Sequence, residues 1–197
     1  VSVDAEYLGP VSRVLLNDLN PGSTYEYRVR LSEGSSNLWR SFTTVWSMNP
    51  SEEYPMDSGG GSLSFAVVGD LQPHNLETVR TTSLGIQKVT SLGPAFILQL
   101  GDVAENGISR RSWRLAASVL SEARGEIPFV MTAGNHDYSY ILPSARYFKN
   151  LFPAPYADNS SKRRNTWYSM TIASVHIAVL DTEAAGRRFH TQIDWLK

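Results

Sequence analysis

Three short phrases of the sequence carry the side chains that could do chemistry. They are Gly69-Asp70, Gly101-Asp102 and Gly134-Asn135-His136-Asp137. Each phrase directly follows an apolar, strand-like run, and open α/β sheets bind their ligands in the crevice beyond such strand ends. Carboxylates crowded into one crevice would repel each other unless a cation bound them. The phrases therefore predict a metal site built from oxygen ligands.

The third phrase adds an imidazole to this set of oxygen donors. His136 comes directly after Asn135, whose amide oxygen is a ligand of the same type as the carboxylates. An imidazole can take up or release a proton near neutral pH, which carboxylates ordinarily cannot do. The third phrase therefore indicates catalysis rather than metal storage.

Composition restricts the class of protein. Of 197 residues, 42% are apolar and 19% are charged, which is typical of a globular chain with one good core and a smaller unit. A formal net charge of -1 gives no basic footprint, so nucleic acid is not a predicted partner. No apolar run approaches the roughly 20 residues of a membrane helix. Because the chain has no cysteine, any metal must be held by oxygen and nitrogen ligands.

The elements that must position these side chains fall into two patterns. Residues 1–45 alternate like β-strands, with runs at 12–16, 24–31 and 38–44, and Tyr25, Tyr27 and Val29 share one predicted face. Residues 46–62 are rich in Pro, Gly and Ser and predict a linker. Residues 63–197 predict strands that alternate with helices, a sheet buried on both faces and a final hairpin and helix. The predicted strands are 63–68, 95–100, 127–132, 166–172 and 175–180, and the predicted helices are 76–91, 109–124 and one starting near Thr191.

The order of these motifs resembles the calcineurin-like metallophosphoesterase superfamily. Asp70, Gly101-Asp102 and residues 134–137, each after a strand, are similar to that superfamily's first three motifs, and residues 174–181 and 192–196 resemble a later strand and helix. The stretch 19–29 resembles the end of a fibronectin type III-like sandwich, in which a Tyr near the turn bonds back to the backbone. That combination narrows the resemblance to the purple acid phosphatases.

The resemblance implies a fold of the α/β class with two parts. Residues 63–197 would be the N-terminal part of a catalytic domain, an α+β four-layer metallophosphoesterase sandwich that is incomplete here. Residues 1–45 would be the C-terminal part of an all-β, fibronectin III-like domain, joined through the linker 46–62. We therefore expect the sequence to be cut at both ends.

The resemblance also implies two metal ions, which could be Fe, Zn or Mn. Asp102 would bridge them, Asp70 would bind the first, and Asn135 would bind the second. His136 would face the substrate, stabilise the phosphoryl oxygens and protonate the leaving group. Two such ions lower the pKa of a bridging water and clamp the attacking and leaving oxygens. Asp137 is predicted to support a turn or a ligand rather than to bind metal.

The first metal site departs from the family pattern at two positions. Gln72 stands where many metallophosphoesterases have a His, and Glu105 stands where purple acid phosphatases have a metal-binding Tyr. Either side chain could bind a metal through oxygen or support a ligand. Two roles are open for His74. It could bind the metal, or its imidazole could lie in a loop or face the substrate. Without a Tyr at position 105, a purple ferric-tyrosinate chromophore is expected to be absent.

The function implied is the hydrolysis of small-molecule phosphate esters. We expect an acid phosphatase that acts on phosphomonoesters, with a phosphodiesterase or nucleotidase, or a non-catalytic scaffold relative, as alternatives. The family completes its sites with an isolated His and a Gly-His-x-His motif, which would lie beyond residue 197. The chain as given is therefore expected to be inactive, while the protein that contains it is expected to be a hydrolase.

Several further polar residues were assigned from their surroundings in the sequence. Asn159 begins a glycosylation sequon, and together with the resemblance it predicts a secreted or vacuolar/lysosomal protein. His176 alternates with apolar neighbours and is predicted to be a core histidine. Solvated positions are predicted for His190, Arg110, Arg111, Arg114 and the run 162–164.

Overall fold

A computed structural model describes most of residues 63–197 and several shorter stretches before them. The described residues are 6–7, 12–14, 16–31, 34–35, 39–44, 63–123, 125–138, 144–152, 166–172, 175–183 and 187–197. The predicted linker 46–62, the sequon at Asn159 and the basic run 162–164 lie outside the described residues.

Strands and helices alternate through the second part of the chain. The strands are β1 Glu6–Tyr7, β2 Ser12–Arg13, β3 Thr24–Tyr27, β4 Arg30–Leu31, β5 Gly34–Ser35, β6 Arg40–Thr43, β7 Ala66–Val68, β8 Ile97–Gln99, β9 Phe129–Met131, β10 Tyr168–Ile172 and β11 Val175–Val179. The helices are α1 Leu76–Ser91, α2 Arg110–Leu120, α3 Arg146–Leu151 and α4 Arg187–Leu196, with 3-10 turns at Ser121–Ala123 and Asn135–Asp137.

A parallel sheet in the order β7-β8-β9 positions the three chemical phrases. Ala66 lies opposite Ile97, and Ile97 lies opposite Phe129 in the same direction. All three predicted strands are present, so the α/β prediction is confirmed. The expectation of burial on both faces holds for β8, where Ile97 is 0% exposed, but not for β7, where Val67 is 52% exposed.

Local capping signals fix the helices that follow β7 and β8. Asn75 caps α1 by accepting a hydrogen bond from Thr78 N at 2.8 Å, and Gly93 follows its end with φ 65°. The predicted helix 76–91 is confirmed at both ends. Ser109 caps α2 in the same way through Ser112 N. The predicted helix 109–124 ends as α-helix at Leu120 and continues as a 3-10 turn.

A hairpin of β10 and β11 covers part of the sheet. Ile172 and Val179 of the hairpin pack with Phe96 and Val130 in one buried cluster. The Tyr168 hydroxyl accepts from Met131 N at 3.1 Å and donates to Met131 O at 2.8 Å. Burial raises the pKa of Tyr168 to about 12. The hydrogen bond between Tyr168 and Met131 acts in the opposite direction and lowers this pKa. The predicted hairpin is thus present and is joined to β9 by this hydroxyl.

Two predictions for the C-terminal third were wrong. His176 is exposed, not buried, because β11 turns Val175, Ile177 and Val179 toward the sheet and the alternate positions toward solvent. The last helix begins at Arg187, four residues before the predicted Thr191, so His190 lies within it. Helix α3 was not predicted.

The prediction for the arginines of α2 is confirmed, since Arg110, Arg111 and Arg114 are exposed.

The N-terminal strands form separate antiparallel pairs among the described residues. These pairs are β1-β2, β3-β6 and β4-β5. The predicted run 24–31 breaks after Tyr27, so Val29 is 54% exposed and does not share the face on which Tyr25 and Tyr27 pack against Phe42. Tyr27 donates a hydrogen bond to the Gly125 carbonyl at 3.5 Å, which joins this part to the loop before β9.

Candidate metal centre

The loops after β7, β8 and β9 meet at one edge of the parallel sheet. The backbone N–H of Asp70 donates to the Gly101 carbonyl at 3.3 Å, and that of Gln72 donates to the Asp102 carbonyl at 3.3 Å. His136 N–H donates to Oδ1 of Asp102 at 2.8 Å. These bonds run from the first loop to the second and from the third loop to the second. The structure therefore brings the three predicted phrases together.

Unusual backbone conformations turn the first two loops. Asp70, Gln72 and Asp102 have φ of 50°, 30° and 56°, in the left-handed region that side chains other than glycine rarely adopt. Such residues cost on the order of 1–3 kcal/mol each and persist where the surrounding structure holds them. Here the hydrogen bonds between the loops stabilise these backbone conformations. Strain of this kind clusters at functional sites.

The glycines of the second and third phrases allow the loops to approach closely. A Cβ on Gly101, which has φ 99°, would lie 2.7 Å from Gly134 N. A Cβ on Gly134 would collide with the Asp102 carboxylate and lie 2.5 Å from Asp102 N. Gly101 and Gly134 are thus needed for packing between the loops, beyond any turn they permit.

Asp137 ties the second and third loops together from inside. Its side chain is 0% exposed, and its carboxylate accepts hydrogen bonds at 3.0 Å from each of Val103 N, Ala104 N and Gly134 N. Burial raises the pKa of Asp137 to about 6, while these N–H donors act in the opposite direction. The carboxylate is therefore occupied by backbone donors of the two loops that carry Asp102 and Asn135.

The imidazole of His136 is oriented by a backbone carbonyl. Its Nδ1 lies 2.9 Å from the Glu105 carbonyl oxygen, which can only accept, so Nδ1 carries a proton. This hydrogen bond is the main cause that raises the pKa of His136, and desolvation acts against it. The Glu105 backbone thus accepts this hydrogen bond, and the negative charge of the Glu105 carboxylate also raises the pKa of His136.

The loop that holds the Glu105 carbonyl is itself anchored. The Trp113 indole Nε1 donates to the Gly107 carbonyl at 3.0 Å, and Trp113 is 4% exposed. A Cβ on Gly107 would collide with the Asp137 carbonyl. Gly107 is thereby held between the third loop and α2.

The remaining candidates lie near the first loop. Gln72 is partly buried, and His74 is exposed, with its backbone N–H donated to Thr78 Oγ1 at 3.0 Å. Asp70 and Asn135 are exposed, and Asp102 is partly buried. Carboxylate and amide oxygens suit hard cations, so the chemistry of this donor set fits. The part of the chain that the structure describes has no group of three His, Cys, Asp or Glu that could hold a metal.

Sequence reasoning missed two buried polar side chains beside the site. Gln99 is 0% exposed, and its amide accepts from Gly101 N at 2.9 Å and donates to Gly101 O at 2.7 Å. The position of this Gln inside an apolar strand run was the sequence feature that could have indicated a buried polar side chain. Asp181 accepts a hydrogen bond from the Tyr138 hydroxyl, and no local pattern joins two positions so far apart in sequence.

Comparisons with known proteins give one family. The family model described as Calcineurin-like phosphoesterase matches residues 63–194. Phosphoenolpyruvate phosphatase of Allium cepa is 25% identical over 95% of this chain, and purple acid phosphatase 1 of Ipomoea batatas is 24% identical over 91% of it. Purple acid phosphatase PPD1 from yellow lupin seeds has a similar fold, with a TM-score of 0.62, 18% identity and 91% of this chain covered. The chain spans 37% of each of those two relatives and 34% of the lupin protein.

Proposed function

The chain belongs to the calcineurin-like phosphoesterase family, and on that premise we propose that the protein containing it is an acid phosphatase that hydrolyses small-molecule phosphomonoesters. The observation that carries the proposal is the junction of three loops at the strand ends, where Asp102 accepts the backbone N–H of His136. Two relatives, a phosphoenolpyruvate phosphatase and a purple acid phosphatase, support a phosphomonoester as substrate.

Asp70, Asp102 and Asn135 would hold two metal ions, which could be Fe, Zn or Mn. The resemblance to the family assigns Asp102 to both ions, Asp70 to the first and Asn135 to the second. The hydrogen bonds that join the three loops support a shared site. When bound, two such ions supply positive charge for the phosphoryl oxygens and an activated water. Further ligands are needed, and Gln72, His74 and Glu105 are the nearest candidates in sequence.

His136 would act on the phosphoryl group and on the leaving group. Its Nδ1 proton is donated to the Glu105 carbonyl, so the exchange of a proton with substrate falls to Nε2. The Glu105 carbonyl raises the pKa of His136. A proton on Nε2 would be the one given to a leaving alkoxide. Asp137, held by three backbone N–H groups, would keep the turn under this ring in place.

We also propose the finer assignments that accompany this activity. Residues 1–45 would be the end of a fibronectin III-like domain, because the Asn20 N–H donates to the Tyr25 hydroxyl at 2.8 Å in the manner of a tyrosine corner. Residues 46–62 would be a linker, Asn159 would carry a glycan, and the protein would be secreted or vacuolar/lysosomal. No helix within the described stretches is long and apolar enough to cross a membrane.

Hydrolysis of p-nitrophenyl phosphate and of bis-p-nitrophenyl phosphate tests the proposal. The protein that contains this chain is loaded with Mn²⁺, Zn²⁺ or iron and compared with its Asp102→Asn and Asp194→Asn variants. We expect turnover of the monoester, loss of it in Asp102→Asn, and wild-type turnover in Asp194→Asn, whose carboxylate is exposed on α4. Preferred turnover of the diester would favour a phosphodiesterase, and turnover of neither would favour a scaffold.

A further inference from the structure

Three buried polar side chains form a hydrogen-bonded network beside the third loop. Tyr138 directly follows the 3-10 turn Asn135–Asp137, Asp181 follows β11, and Gln192 lies on α4. Their exposures are 6%, 1% and 3%. Burying polar groups is unfavourable unless they are paired, so such a network persists only when its members satisfy one another.

Asp181 is held at both its backbone and its carboxylate. The Tyr138 hydroxyl donates to Oδ2 of Asp181, and Glu183 N donates to Oδ1 at 3.1 Å. Asp181 N donates to Oε1 of Gln192 at 2.7 Å, and Nε2 of Gln192 donates to the Asp181 carbonyl at 2.9 Å. Gln192 of α4 therefore fixes the backbone of Asp181, whose carboxylate binds the Tyr138 hydroxyl.

The other end of the network reaches the candidate metal centre through the backbone of Tyr138. Tyr138 N donates to the Asn135 carbonyl at 3.2 Å, which closes the 3-10 turn. The same turn carries His136, whose N–H donates to Asp102. A displacement of Tyr138 would therefore move both Asn135 and His136 relative to Asp102.

We propose that Tyr138, Asp181 and Gln192 are positioning residues for the turn Asn135–Asp137. They connect α4 to the third loop and hold the turn that carries Asn135 and His136 against the second loop. This inference rests on the proposed function, because the placement of Asn135 matters to catalysis only if that side chain binds a metal. The three residues act through the turn rather than on substrate. Partners of metal ligands commonly contribute about 10–100-fold to metal affinity.

Tyr138→Phe tests the proposal because it removes the hydroxyl and keeps the ring in the core. Tyr25→Phe is the matched control, since it makes the same chemical change in the N-terminal part. Amide hydrogen exchange in the metal-free chain is followed at His136 and, as a report on the core, at the buried Val119 of α2. We expect Tyr138→Phe to speed exchange at His136 about tenfold or more without changing Val119. Gln192→Met should act in the same direction.

Mn²⁺ titration of the same variants adds a second readout. We expect the dissociation constant to rise about tenfold in Tyr138→Phe and to be unchanged in Tyr25→Phe. Unchanged exchange at His136, or equal acceleration at His136 and Val119, would overturn the inference, because the network would then be merely structural. The titration uses the protein that contains this chain, and a wild-type protein without Mn²⁺ affinity would count against the metal site, while the exchange result would still decide the positioning role. If Tyr138→Phe does not fold, Gln192→Met carries the same test.

Discussion

The backbone N–H of His136 donates a hydrogen bond to Oδ1 of Asp102 over 2.8 Å. One carboxylate oxygen of the proposed bridging ligand is therefore aligned by the residue proposed to protonate the leaving group. His136 is in turn held at Nδ1 by the Glu105 carbonyl, three residues after Asp102. The second and third loops thus orient each other, and a change in either one should be felt at both residues.

Close approach of these loops makes a side chain at position 134 unfavourable. A Cβ in Gly134→Ala would collide with the Asp102 carboxylate, so we expect a loss of about 1–3 kcal/mol in the free energy of unfolding. Gly85→Ala is the control, because nothing lies within 4 Å of a Cβ there and the helix should gain roughly 0.5–1 kcal/mol. Urea denaturation measures both changes. Equal effects of the two substitutions would contradict the packing described.

Asp137→Asn should destabilise the protein although it keeps the shape of the side chain. An amide offers one acceptor oxygen and an NH2 group, which would face a backbone N–H among Val103, Ala104 and Gly134. We expect a loss of about 1–3 kcal/mol, measured by urea denaturation. Asp194→Asn, on the exposed end of α4, should change stability little. Similar stabilities of the two variants would show that the buried carboxylate is dispensable.

Tyr168 should give the protein a pH dependence of stability at alkaline pH. The pKa of Tyr168 is about 12 in the folded state, against an ordinary value of 10.0 for tyrosine, so the folded state binds the proton more tightly. The resulting contribution to the free energy of unfolding is fully present below pH 10. It is lost as pH rises toward 12, at about 1.4 kcal/mol per pH unit. Urea denaturation of wild type and Tyr168→Phe from pH 9 to 11 measures the difference, which should shrink as pH rises. Parallel curves would contradict the assignment.

The iron-loaded protein should lack a tyrosinate-to-iron charge-transfer band in the visible spectrum. Position 105 is a Glu, and the nearest described tyrosine in the third loop, Tyr138, donates its hydroxyl to the buried Asp181. We therefore expect no phenolate ligand from these positions. Absorption spectroscopy after iron reconstitution tests this, with Tyr138→Phe as the control. A visible band that disappears in Tyr138→Phe would show that this hydroxyl reaches the metal.

Parts of the fold that depend on local signals could be predicted from the sequence. Asn75 and Gly93 bound α1 on both sides, and the apolar runs before Asp70, Asp102 and Asn135 formed a parallel sheet. His176 shows the limit of such signals. Its alternation with apolar residues was interpreted as burial, whereas a period of two places it on the face opposite to Val175 and Ile177.

The supports of the candidate site could not be predicted, because they join residues that are distant in sequence. Gln192 and Asp181 meet only when α4 packs beside the end of β11, and Tyr138 meets Asp181 only when the hairpin covers the sheet. Asp137 was expected to support a turn or a ligand. The structure adds that its partners are three backbone N–H groups from two loops. Such pairings depend on tertiary packing, for which the sequence carries no periodic signal.

Metal content tests the central claim most directly. The protein that contains this chain is reconstituted with Mn²⁺, Zn²⁺ or iron beside its Asp102→Asn and Asp194→Asn variants, and bound metal is measured by mass spectrometry. We expect about two tightly held ions per molecule, as in two-metal hydrolytic sites, retained in Asp194→Asn and lost in Asp102→Asn. Equal metal content in wild type and Asp102→Asn, or no bound metal in wild type, would contradict a metal centre at the junction of the three loops.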